Sequence, residues 1–339
     1  MIKKIINPPE KKWEKINTRP NYSFDIVENT VIEIFESVRK IGDKALIKYA
    51  EKYEGVKLKK IIVKQEKIDN SKNFVSKRLK DSIKIAKKNI EKFHISQKSK
   101  SDRIIIEKGI ECWQEKRPIE KVGLYIPGGS APLFSTILML AIPAKIAGCD
   151  EIIICTPPNP KGEIPPVILY TCYLCGISKI YKVGGAQAIA AMTFGTESIP
   201  GVYKIFGPGN QYVTSAKQYA TKFKISIDLP AGPSELLIYA DETAISKYVA
   251  SDFLSQTEHG PDSQVILVTT NKKIIDPIIK EIKRQISYLN KKEFIRKSIQ
   301  NSKIIYFDLK ERAVKYINDY APEHYIICSK EEKYFIQNL

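Results

Sequence analysis

Val122-Gly123-Leu124-Tyr125-Ile126-Pro127-Gly128-Gly129-Ser130-Ala131-Pro132 is a short β-prone run that breaks on proline and two glycines and then enters an apolar stretch. The run predicts a buried strand over 122–126, and the Gly/Pro punctuation predicts a turn into a helix from about Pro132. The same texture recurs at 151–155, 179–183, 203–206 and 226–229, with apolar helical segments between. Strands alternating with helices predict βαβ units and a parallel sheet. A second series follows at 235–239, 264–269, 303–307 and 325–328, separated by helices such as 273–286. Upstream, residues 1–117 are poor in glycine, and apolar positions fall at helical spacing over 31–38 and again over 79–93. The fold class is therefore α/β, with two successive Rossmann-like parallel-sheet domains and a helical N-terminal region. The boundaries read as 1–117 for a helical region packing on the core, 118–234 for the first domain and 235–339 for the second.

Composition narrows the function. A chain of 339 residues, 43% hydrophobic and 27% charged, can bury one large core or two moderate ones. The longest apolar candidate, 133–148, is interrupted by Pro143 and Lys145 and falls short of a membrane span. Pro8 and Pro9 stop any signal-peptide core from forming, so the expected location is the cytoplasm, with no membrane partner. Six cysteines lie mostly in apolar runs, as reduced buried thiols do. Cys172 and Cys175 form a C-x-x-C, but the stretch 170–176 looks like an apolar helix closed by Gly176, and core packing is the better reading. The formal charge of +17 raises nucleic-acid binding. Only eight of the 55 basic residues are arginine, and the lysines are scattered among many isoleucines, so compositional drift explains the charge and no specific nucleic-acid partner is expected.

In parallel sheets, ligands gather at the carboxyl ends of the strands, so chemistry is sought just after each strand. Three glycine-bearing turns sit there: Gly128-Gly129-Ser130, Gly184-Gly185-Ala186-Gln187 and Gly207-Pro208-Gly209-Asn210. Backbone N–H groups at such helix starts can hold an anion, while a tight turn with a capping residue accounts for the same letters. None is a complete G-x-G-x-x-G. A nucleotide across these ends, with Gln187 and Asn210 offering amides, is the favoured reading. Farther on, Gln256 and His259 are three apart near the end of a helix and could approach one metal ion, or His259 could simply cap that helix. Ala231-Gly232-Pro233-Ser234-Glu235 can present the Ser234 hydroxyl. Tyr320-Ala321-Pro322-Glu323-His324 sets a carboxylate beside an imidazole in a connection, a pairing suited to proton transfer near neutral pH.

Taken together, residues 122–136, 183–190, 205–210, 230–235, 251–264 and 321–324 resemble the signatures of the histidinol dehydrogenase family, in that family's order. The resemblance implies oxidation of L-histidinol to L-histidine by two hydride transfers to NAD through an aldehyde. It implies that Tyr125, Gln187 and Asn210 contact NAD, and that Ser234, Gln256, His259 and His324 contact histidinol. Gln256 and His259 would also ligate zinc, His324 would be the general base, and Glu323 would activate the water that hydrates the aldehyde. The family is homodimeric, and its remaining zinc ligands, an Asp and a His, fall beyond Leu339. Two ligands alone should bind zinc weakly and support little turnover. A competing reading is a catalytically impaired homologue that retains only nucleotide binding.

Overall fold

The computed structural model describes residues 2–19, 24–98, 102–129, 132–229, 235–258, 260, 263–289 and 292–339. Two compact units emerge, one formed by residues 1–22 together with 232–339 and the other by residues 23–231. The first unit opens with β1 (Lys3–Ile6).

The 23–231 unit contains an exposed antiparallel hairpin, β2 (Ile104–Glu107) and β3 (Ile110–Cys112), ahead of its main sheet. That sheet is built from β4 (Lys121–Tyr125), β5 (Glu151–Thr156), β6 (Lys179–Lys182), β7 (Lys204–Phe206) and β8 (Ser226–Ile227). The order is β6-β5-β4-β7-β8, and every pairing is parallel. Side chains alternate along each strand, so one sheet feeds two cores. Ile152 and Ile154 face a core with helices Lys77–Ser96, Phe134–Ala147 and Pro166–Leu174, whereas Ile153 and Cys155 face one with helices Phe24–Ile41, Gly185–Phe194 and Gln211–Ala220. Burial on both faces is why these strands read as continuous apolar runs rather than alternating ones. Gly123 in β4 shows how tight the packing is: a Cβ there would come within 2.5 Å of the Met192 sulfur. Cys172 and Cys175 are free thiols inside one core, and burial pushes both thiols up in pKa.

The other unit repeats the plan with β9 (Glu235–Ala240), β10 (Gln264–Thr269), β11 (Lys303–Tyr306) and β12 (His324–Cys328), in the order β1-β11-β10-β9-β12, again all parallel. Leu236, Ile238 and Ala240 pack under helices Ser246–Thr257 and Ile275–Ile286, and Leu237 and Tyr239 pack against Trp13, Tyr316 and Phe335 on the opposite face. The two Rossmann-like sheets are those the sequence predicts. β1 is an addition: the N-terminal segment, read as helical, gives its first strand to the edge of the second sheet by pairing Lys3–Ile6 with β11. Among the described residues no helix is long and apolar enough to cross a membrane.

Candidate active site

On the 23–231 unit the candidates cluster at the carboxyl edge of the sheet. Tyr125 ends β4 and is 4% exposed; its hydroxyl accepts the N–H of Gly185 at 3.0 Å. Gln187, also buried, lies in the first turn of helix Gly185–Phe194. Asn210 is exposed and caps helix Gln211–Ala220, its Oδ1 accepting the N–H groups of Tyr212 (3.1 Å) and Val213 (3.2 Å). One residue here has no signal in the sequence. Glu54 ends a single π-helical turn, Ala50–Glu54, and its Oε1 accepts the N–H of Gly184 at 3.1 Å. Its Oε2 is buried without a hydrogen-bond partner. Burial pushes the Glu54 carboxyl up to about 7, against the opposing pull of the Gly184 hydrogen bond.

These bonds change how the glycine turns can work. The N–H groups of Gly184 and Gly185 already serve Glu54 and Tyr125, and those of Tyr212 and Val213 already serve Asn210. Those four N–H groups are therefore not free to cradle a phosphate. Access remains at Gly128 and Gly129, which are exposed; a Cβ on Gly129 would meet nothing within 4 Å. An open glycine approach and a buried carboxylate oxygen lacking a partner both fit a polar ligand at this edge.

On the unit containing residues 232–339 the candidates lie at the opposite, amino edge of the sheet. His324 is the first residue of β12 and Glu323 precedes it; His324 Nδ1 stands 3.8 Å from Glu323 Oε2, and the side chains are 57% and 54% exposed. The turn that leads to them is held by Arg19. The Arg19 guanidinium donates to the carbonyls of Tyr320 and Ala321, each at 3.1 Å, and forms an ion pair with Glu235 Oε1 at 2.8 Å. It also lies over the Tyr320 ring, 5.2 Å from its centroid, while the Tyr320 hydroxyl donates to Gln264 Oε1 at 2.8 Å. Burial raises the Glu235 carboxyl, with Arg19 pulling it down and the Glu323 charge pushing it up. Ala321 adopts a left-handed conformation, φ +45°, which an alanine keeps only where surrounding bonds enforce it.

Gln256 is the penultimate residue of helix Ser246–Thr257, 6% exposed, and its Nε2 is buried without a partner. The two ends of an amide are told apart only by their surroundings. Turned over, this amide would present a carbonyl oxygen with no protein donor, as a cation ligand requires. Ser234 and His259 lie outside the described residues. Among the described residues no group of three His, Cys, Asp or Glu side chains could hold a metal ion.

Two Rossmann-like sheets, one edged with glycine turns and the other with a carboxylate–imidazole pair suited to proton transfer, are the layout of an α/β oxidoreductase. The histidinol dehydrogenase family model matches residues 17–339. A histidinol dehydrogenase of Bacteroides thetaiotaomicron is 49% identical over 327 residues, covering 96% of this chain and 76% of its own length. One from Haemophilus influenzae is 47% identical, covering 96% and 75%. The crystal structure of the Elizabethkingia anophelis histidinol dehydrogenase superposes with a TM-score of 0.96 at 47% identity, over 99% of this chain and 78% of that one. The chain belongs to the histidinol dehydrogenase family, oxidoreductases that oxidise histidinol in histidine biosynthesis.

Proposed function

We propose that the chain carries L-histidinol to L-histidine in two successive oxidations with NAD, and that its two sheets divide the labour. Tyr125, Gln187 and Asn210 meet NAD on the carboxyl edge of the β4 sheet. Ser234, Gln256, His259 and His324 meet the substrate, with Gln256 and His259 also serving as zinc ligands. NAD, when bound, supplies the hydride acceptor, and zinc, when bound, anchors the amine and imidazole of the substrate. The open approach at Gly129 and the unpartnered oxygen of Glu54 support a polar ligand at the first edge, and the unpartnered amide of Gln256 supports a cation near the second.

The observation that carries this reading is the Glu323–His324 pair, its side chains more than half exposed, placed where β12 pairs with β9 and where Arg19 holds the preceding Tyr320–Ala321 turn. His324 takes the hydroxyl proton of the alcohol as the carbinol hydrogen leaves as hydride. An aldehyde has no hydroxyl proton to give, so Glu323 removes a proton from water as its oxygen adds to the carbonyl carbon, and the carbonyl oxygen takes the proton that His324 holds from the first oxidation, which frees His324 to act again. The resulting diol is again an alcohol, and His324 takes its proton as the second hydride leaves. One base thus serves both oxidations and the carboxylate serves the hydration between them. The working form is taken to be a cytoplasmic homodimer, as in the resemblance.

The test is to supply zinc, NAD and L-histidinol to the chain and follow NADH by absorbance, with histidine identified as the product. Slow histidinol-dependent NADH formation with histidine as its product is the expected result, because Gln256 and His259 alone hold zinc weakly. NAD binding without histidinol-dependent NADH would instead leave a chain that only binds nucleotide.

A further inference from the structure

Beneath the Gly207-Pro208-Gly209-Asn210 turn lies an ion pair between a buried lysine and a half-buried aspartate that the oxidation chemistry does not use. Lys217, in the middle of helix Gln211–Ala220, is 2% exposed among Val213, Ala216 and Ala220 of the apolar core. Its ammonium contacts Asp228 Oδ1 and donates to the carbonyl of Gly207 at 2.9 Å. Asp228, which follows β8, accepts the N–H of Gly207 on its other oxygen at 2.8 Å. One buried cation and one carboxylate therefore hold both hydrogen-bonding groups of a single residue.

That residue is constrained on its remaining side as well. Gly207 adopts φ +134°, a conformation L side chains rarely take, and a Cβ there would come within 2.1 Å of the Tyr125 carbonyl oxygen. Gly207 is thus pressed against Tyr125 and stands three residues before Asn210. Stability does not account for the device. Desolvating an ammonium and a carboxylate offsets most of their attraction, and apolar residues of the same volume commonly pack as well or better. What an apolar pair cannot do is supply a donor to one side of Gly207 and an acceptor to the other.

We propose that Lys217 and Asp228 are positioning residues for the dinucleotide. They touch no part of it; they lock the Gly207–Asn210 turn against β4, so that Asn210 and Tyr125 are presented in one geometry before NAD arrives. This inference rests on the reading that NAD lies along this edge. Binding costs less when the contacting groups are already ordered, and small displacements of such groups are expensive.

The experiment titrates NAD into the 339-residue chain by calorimetry and compares Lys217→Met, Lys217→Arg and the double variant Lys217→Met/Asp228→Asn. Lys217→Met keeps the stem and removes the donor, and is expected to weaken NAD binding by about tenfold or more. Lys217→Arg keeps charge and donors and should recover most of the affinity. The double variant leaves no unpaired ion in the core; it should fold even where the single variant does not, and still bind NAD weakly because the Gly207 carbonyl has lost its donor. Amide hydrogen exchange in the nucleotide-free chain gives an independent readout: protection should fall over residues 205–213 and stay unchanged in helix Ser246–Thr257. Parent-like NAD affinity in the double variant would overturn the proposal, as would an Arg variant as weak as the Met variant or a loss of protection spread evenly over the chain. A parent chain that fails to bind NAD would overturn the underlying reading together with this one, whereas the other outcomes strike the positioning role alone.

Discussion

The two sheets share one wiring and carry their candidate residues at opposite edges. Numbering strands within each series, both run third-second-first-fourth, with β8 added beyond the fourth strand in one and β1 beyond the third in the other. Ligands of such sheets gather at the carboxyl ends where the strand order reverses. In the 23–231 unit that place, between β4 and β7, holds Tyr125 and the Gly207–Asn210 turn, both candidates. In the other unit the equivalent place, between β9 and β12, holds Asp241 and Ser329. Asp241 is buried, and its carboxylate accepts the Thr243 N–H at 2.8 Å, the Thr243 hydroxyl at 2.7 Å and the Ser329 hydroxyl. A fixed internal carboxylate stands where a ligand anion would, and the candidate pair Glu323–His324 lies at the amino ends. Strand order alone therefore points to the candidate residues in the first sheet and not in the second.

The comparison makes its largest claim at the amino edge. His324→Asn keeps an amide of similar outline and removes the base, so histidinol oxidation should fall at least about a hundredfold with NAD affinity unchanged. Stopped-flow NADH formation beside an NAD titration separates the two quantities. A variant that turns over like the parent would take the chemistry away from that edge.

A smaller effect is expected at the filled edge. Asp241→Ala takes the acceptor from the Thr243 N–H and two hydroxyls in a part-buried setting that water can reach, and should cost about 1 kcal/mol of unfolding free energy in urea melts. NAD affinity should not change, because Asp241 here is structure and not site. Should Asp241→Ala abolish NAD binding while the melt is untouched, the two carboxyl edges would be alike after all and the contrast would fail.

Much of this plan was legible in the chain. The nine strands from β4 to β12 begin and end within one or two residues of the runs read from the sequence, because strands buried on both faces become β-branched runs cut by Gly and Pro. β1 escaped notice since Lys3–Ile6 is four residues with two lysines, and it becomes a strand only by pairing with β11, some 300 positions away. The hairpin at Ile104–Glu107 and Ile110–Cys112 is exposed throughout and carries no burial pattern to detect. The candidate residues Glu323 and His324 stood out by type and by the adjacent proline, but the search for chemistry just after strands fits only the first sheet; in the second they come at the start of β12. The supports were invisible. Arg19, Glu235, Lys217 and Asp228 are ordinary charged residues until folding brings their partners to them, and Glu54 finds Gly184 across 130 positions.

Glu54 gives the finest test, because its signature belongs to one unit and has a definite sign. In the unfolded chain its carboxyl ionises near the usual 4.5, whereas in the folded chain burial raises it to about 7. Below 4.5 both states hold the proton and the group adds no pH dependence. Between 4.5 and 7 the folded state keeps a proton that the unfolded state has released, so stability declines as pH rises through this window and levels off above it. Glu54→Gln has nearly the shape of the neutral acid and can still accept the Gly184 N–H, so it should melt like the parent at pH 5 and above it at pH 8. The carboxyl is only partly screened from water, which holds the difference to about 2 °C. Because Glu54 reports on the β4 sheet, hydrogen exchange at pH 8 should show the gain in helix Gly185–Phe194 and not in helix Ser246–Thr257. Parallel melting curves for parent and variant across the whole range would mean that the Glu54 carboxylate is solvated as it is in the unfolded chain, and the β4 edge would lose the desolvated polar character that sets it apart.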